Sequence, residues 1–271
     1  QAGQKKTVTF SGKNKSKISK ISIQKKYNKK VAKVSVKKKK IYVTGKGVKS
    51  LKSKHMPTTQ PYTYNTYVLK KRKYYYIADS ELKEAFYGIR TDLDALALAA
   101  YVCDICCDLS VEGSADVPLL RLTLNALYAL SEGKYSKAAV KAAFELKALA
   151  LSGLCPDLVA CCRCGKYEGS TMYLDVMNGR IVCPDCRGDY EREKRISDED
   201  ETADIYLKIL PDVLEAMRYI VYSDQRKMLA FSLSPESLEE LSYVCEKYLV
   251  NQIEHSYSSL DFYKKITEQG G

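Results

Sequence analysis

No aspartate or glutamate occurs in the first 78 residues of this 271-residue chain. That absence argues against a carboxylate-held Mg²⁺ in this stretch, and so against the metal chemistry of a nuclease or polymerase. Histidine is scarce too. His55 and His255 are the only two, and neither is set beside a cysteine or serine as a nucleophile–base pair requires. There is no glycine-rich phosphate cradle of the P-loop type, which argues against an ATPase. Long apolar runs are missing. The best candidate, residues 95–107, is broken by Asp104 and is shorter than the ~18 residues that cross a bilayer. Residues 1–6 lack the apolar core of a signal peptide. A non-enzymatic protein with no membrane partner is expected.

Lysine fills the space that the acids leave. Of 44 Lys and Arg, 23 fall in residues 1–78, and the other 193 residues hold 21 basic against all 33 acidic side chains. The net charge of +11 thus joins a strongly basic end to an acidic remainder. Such an end is the footprint of a polyanion-binding module. Lysines also decorate the exposed face of ordinary strands, but 23 to none exceeds what solubility needs. Nucleic acid is the expected partner, with anionic lipid or an acidic protein as alternatives.

The basic end alternates with period two. Ile18, Ile21 and Ile23, then Val31, Val34 and Val36, then Ile41 and Val43 mark three strands. Residues 46–56 form a basic loop, and strands over 62–69 and 74–78 follow, joined by the basic turn 70–73. Residues 1–16 read as a loose arm or the first edge of a strand. Five short strands suit a small OB-type β-barrel, with an SH3-like barrel as the alternative. Barrels of this kind bind single strands through a positive groove and stacking aromatics. Tyr27, Tyr42, Tyr64, Tyr67 and residues 74–76 are the candidates, although a tyrosine can equally be core with a wet hydroxyl.

From Ser80 the period becomes helical. Ser80, Thr91, Ser114, Ser136 and Ser234 are candidate N-caps, Pro211 suits a first helical turn, and Gly133 and Gly153 suit helix ends. The leucine run from Leu119 to Leu130 is apolar nearly all round, so this helix is expected at the centre of a bundle. The fold class is therefore α+β, with a basic barrel at 1–78 and a helical domain at 79–271.

A four-cysteine segment at about 155–190 interrupts the helices. Cys161/Cys164 and Cys183/Cys186 form two Cys-x-x-Cys pairs separated by eighteen residues. Four thiolates at this spacing suit tetrahedral Zn²⁺, and four protein sulfurs leave no position open for substrate, so one structural zinc per chain is expected. Asn178-Gly179 is a hairpin signal that returns the second pair to the first. A disulfide pair and buried free thiols are the alternatives, and Cys162 competes with Cys161 as the ligand. Ten cysteines with four in ribbon spacing suggest a reducing, cytoplasmic setting.

Several stretches carry a resemblance to the bacterial recombination-mediator family RecO. They are KGVKSLKSKHMPTTQPYTYNTYVL at 46–69, AFELKALALSGLCPDLVACCRCG at 143–165, EAMRYI at 215–220 and SLDFYKKI at 259–266. The chain departs from the family in having no acid and little glycine before Gly45. The resemblance implies binding of single- and double-stranded DNA and annealing of complementary strands. It also implies action with RecR in loading RecA onto DNA coated by single-strand-binding protein, whose C-terminal tail docks on the helical domain. On this view Lys46, Lys49, Lys52, Lys54, Arg72 and Lys73 are the expected phosphate contacts. Two rivals remain: a zinc-ribbon factor for structured RNA, and a nucleic-acid-modifying enzyme.

Overall fold

The computed structural model describes residues 57–71, 75–110, 116–189 and 205–269, and the backbone of three strands at 5–7, 32–37 and 40–45. Residues 1–91 with 110–117 make one compact unit, and 92–109 with 118–271 make another.

In the first unit, β1 (Lys5–Thr7), β2 (Ala32–Lys37) and β3 (Lys40–Gly45) form an antiparallel sheet in the order β1-β3-β2. Val34 pairs with Val43, and Lys37 with Lys40. β4 (Tyr64–Lys71) and β5 (Tyr75–Glu84) form a second, two-stranded sheet, bulged between Val68 and Leu69. Among the described residues no ladder joins the two sheets, so a closed five-stranded barrel is not seen. The strand expected over Ile18, Ile21 and Ile23 lies outside the described residues.

Ser80 does not cap a helix. β5 continues through it to Glu84, and Ser80 pairs with Tyr67 across the ladder. Ala78, Ser80 and Leu82 are half-buried while Asp79, Glu81 and Lys83 are exposed, which is the period of a strand. The Ser80 hydroxyl meets Thr58 Oγ1 at 2.9 Å. Helix begins only at α1 (Gly88–Thr91).

The second unit holds α2 (Leu93–Leu109), α3 (Val117–Glu132), α4 (Lys137–Leu151), α5 (Pro211–Tyr222), α6 (Pro235–Ile253) and α7 (Ser258–Gln269). Asp92, not Thr91, caps α2 by accepting from Ala95 N at 3.0 Å, and Leu93 is exposed. Ser136 and Ser234 cap α4 and α6 as expected, accepting from Ala139 N and Ser237 N.

The central helix is α4, not α3. Residues 140–149 of α4 are all buried, whereas Arg121 and Tyr128 of α3 face solvent. α4 packs against α2, α5 and α6, and α7 closes over α2. Its interior position is compatible with charge because every ion is answered. Lys141 pairs with Glu145 at 3.0 Å and Glu246 at 2.9 Å. Tyr101 donates to Glu145 at 2.7 Å, and Lys264 reaches Glu246 from α7. Burial alone would lower the Lys141 ammonium, but the two carboxylates outweigh it and hold it above its ordinary value. Lys147 donates to the carbonyls of Val221 and Ser223, both at 2.6 Å, and so closes the end of α5.

Candidate metal centre

Between α4 and α5 the chain builds a small antiparallel sheet in the order β7-β6-β8. Its strands are β6 (Met172–Asp175), β7 (Arg180–Val182) and β8 (Tyr206–Ile209). The first two form the hairpin that Asn178-Gly179 signals. Asp175 stabilises its turn by accepting from Asn178 N at 3.1 Å and Asn178 Nδ2 at 2.8 Å. Gly179 adopts φ 62°, and a Cβ there would lie 2.6 Å from Tyr248 Oη. β8 was not expected. It arrives from beyond the acidic stretch 191–201, and its alternation over four residues is too short to stand out in sequence.

Each cysteine pair sits in a turn at one end of this sheet. In the first, Gly165 at φ 73° donates to the Cys161 carbonyl at 2.9 Å, and Cys161 N donates to Lys166 O at 2.9 Å. Only a residue tolerant of positive φ closes this turn without strain. The second pair follows β7 directly and runs into a helical turn at 184–189. Cys162 N bonds Ile181 O at 3.0 Å, which lays the first turn against β7.

The sulfurs of Cys161, Cys164, Cys183 and Cys186 all lie within 4.8 Å of one another. Cys164 and Cys183 are 3.7 Å apart. A tetrahedron with metal–sulfur bonds of about 2.3 Å has edges of about 3.8 Å. The donor set is thiol alone, so the residues present fit a closed, structural metal site. Cys162 stands outside the cluster, with its side chain exposed.

The electrostatics favour a cation at this point. Burial would raise the Cys161 thiol, but N–H groups of Cys164, Cys183 and Arg163 turned toward its sulfur bring it down to about 6. Cys183 N lies 3.3 Å from that sulfur. The Cys186 thiol is pushed up instead, first by hydrogen bonds to Cys183 and Cys164. One thiolate is stabilised by backbone, while the Cys183 and Cys186 thiols are pushed the other way. A divalent ion removes the conflict by compensating all four.

Lys46, Lys49, Lys52, Lys54, Arg72 and Lys73 lie outside the described residues. Of the candidate aromatics, Tyr64 is 40 % exposed. Tyr67 is half-buried and donates to Thr58 O at 2.8 Å.

Two residues not singled out from sequence hold the ribbon. Arg187 lies over the rings of Tyr173 and Tyr206, 4.2 and 5.3 Å from their centroids. Arg218, on α5, binds three carbonyls around the first cysteine turn. Its partners are backbone groups remote in sequence, so no motif announces it.

Residues 90–261 match the family model described as the C-terminal part of recombination protein O. A DNA repair protein RecO from Acetivibrio thermocellus is 33 % identical over 84 % of this chain and 86 % of its own length. One from Alkaliphilus metalliredigens is 27 % identical over 84 % and 88 %. One from Clostridium novyi is 29 % identical over 64 % and 68 %. Among the described residues no helix is long and apolar enough to cross a membrane.

Proposed function

The chain belongs to the RecO family, and from that premise we propose that it is a mediator of DNA repair and homologous recombination. It binds single- and double-stranded DNA through its basic end, folded as an OB-type barrel, and anneals complementary strands. With RecR it helps load RecA onto DNA coated by single-strand-binding protein, whose tail it engages. It works in the cytoplasm and makes no covalent change to its substrate. The observation that carries this reading is the separation of charge. A RecO-family chain places 23 basic and no acidic residues in its first 78 positions.

The mechanism is electrostatic. Lysines replace the counterions on phosphates, and release of those ions drives binding. Neutralising two strands together lowers their repulsion, and base pairing then proceeds. Lys46, Lys49, Lys52, Lys54, Arg72 and Lys73 are the proposed contacts. Six such contacts give a salt dependence with a slope of about −4 for single strands. Cys161, Cys164, Cys183 and Cys186 are the proposed ligands of one structural Zn²⁺. That ion would fix the ribbon and leave no coordination position for substrate.

Annealing of two complementary oligonucleotides, each coated with cognate single-strand-binding protein, tests the proposal. Acceleration without nucleotide, lost in Lys49→Glu/Lys52→Glu, is expected. Tight binding to bare DNA with no acceleration would remove the mediator role and turn attention to structured RNA.

A further inference from the structure

The first cysteine turn hangs from one side chain of the bundle. Arg218 is 8 % exposed. Its Nε donates to Leu158 O at 2.8 Å, and its Nη2 donates to Val159 O and to Tyr167 O, both at 2.9 Å. Its guanidinium lies 4.1 Å from the centroid of the Tyr167 ring. The three carbonyls bracket Cys161 and Cys164 from both sides. A flat guanidinium with donors in a fixed fork can hold two chain segments at one spacing, which an ammonium cannot do.

We infer that Arg218 is the positioning residue of the metal centre: it holds residues 158–167 in the shape that brings Cys161 and Cys164 to the other two sulfurs. This inference rests on the proposed metal site. Leu158 anchors the start of the segment in the core, and Arg218 is the side chain that joins that start to Tyr167. The segment contributes no strand to the β6–β7–β8 sheet, and Val159 and Tyr167 are about half exposed. Without Arg218, the cysteine pair would keep its own turn, the Cys162 bond to Ile181 and the Cys183 N–H at the Cys161 sulfur, but residues 158–159 would lose their side-chain tie to residue 167. Groups that orient ligands without touching the metal typically change its affinity by about 10- to 100-fold.

Lys147 supplies a matched control. It too is a buried cation on carbonyls of α5, bound to Val221 and Ser223 at the other end of that helix and away from the cysteine turns. Arg218→Lys and Lys147→Met should both weaken the bundle, and only the first should loosen the metal.

The experiment titrates the full chain with Zn²⁺ against a chromophoric chelator, and with Co²⁺ to read thiolate-to-metal absorption. Wild type should bind one ion. Arg218→Lys should bind at least about 10-fold more weakly, with altered Co²⁺ bands, while Lys147→Met keeps wild-type affinity and bands. Unchanged affinity in Arg218→Lys overturns the inference. So does an equal loss in both variants, which would reflect general destabilisation. Where Arg218→Lys does not fold, Tyr167→Leu carries the test. It removes the ring beside the guanidinium and leaves the acceptors, so a smaller loss is expected and unchanged affinity overturns the inference. Failure of wild type to bind any ion is a different result, because it removes the metal site itself.

Discussion

The bundle and the ribbon inserted into it solve one problem by opposite means. The bundle buries ten consecutive residues of α4, 140–149, charged ones included, and supplies partners for those charges from α2, α5 and α6. The ribbon has three strands of three or four residues and gathers four sulfurs where the bundle gathers leucines. A large core can absorb ions because neighbouring helices deliver partners. A small sheet cannot bury enough apolar area to stand alone and needs a staple. The stability of the two regions should therefore respond to different insults.

The largest effect should come from the cluster. Chelation, or Cys183→Ser, is expected to remove a stabilisation on the order of 10 kcal/mol from the ribbon. Limited proteolysis should open residues 160–190 while far-UV circular dichroism keeps most of the helical signal. Equal loss of both would mean that the ribbon and bundle fold as one. Next comes Lys141→Met, which leaves Glu145 and Glu246 without their shared cation. It should cost about 3–5 kcal/mol in urea unfolding and leave metal affinity unchanged under native conditions. Gly179→Ala should cost about 1–3 kcal/mol, because φ is 62° there and the new methyl meets Tyr248 Oη. Hydrogen exchange should then rise across β6 and β7 and not in α3. The smallest effect is Ser136→Ala. Losing the cap on Ala139 N should cost about 1 kcal/mol, read as a modest fall in Tm with an unaltered ribbon.

Local chemistry was legible wherever it was decided locally. Ser136, Ser234, Pro211 and Gly153 mark helix ends in sequence and in structure, and Asn178-Gly179 marks the hairpin. The cysteine spacing foretold which sulfurs meet. What could not be read was decided by distant partners. α3 is the more apolar helix by inspection, yet α4 is central, because Lys141 is answered by Ser242 and Glu246 about a hundred residues away. Ser80 looks like a cap until Thr58 and Tyr67 are opposite it. Arg218 looks like one more charge on an amphipathic helix, since carbonyl acceptors carry no signature in side-chain identity. The lysines proposed to contact DNA are legible only as a density of charge. Their sum is informative, and no single one is distinguished from its neighbours.

The ion cluster around α4 also bears on how such a chain can change over generations. Tyr101, Lys141, Glu145, Glu246 and Lys264 come from four helices and satisfy one another. Losing Lys141 strands the Glu145 carboxylate in the interior and losing Glu145 strands the Tyr101 hydroxyl, whereas replacing the set with apolar side chains of like volume strands none. Lineages should therefore cross between the two solutions in concerted steps and rarely pause between them. Among relatives, Tyr101, Lys141 and Glu145 should covary as a block, ionic together or oily together, while the leucines around them drift independently.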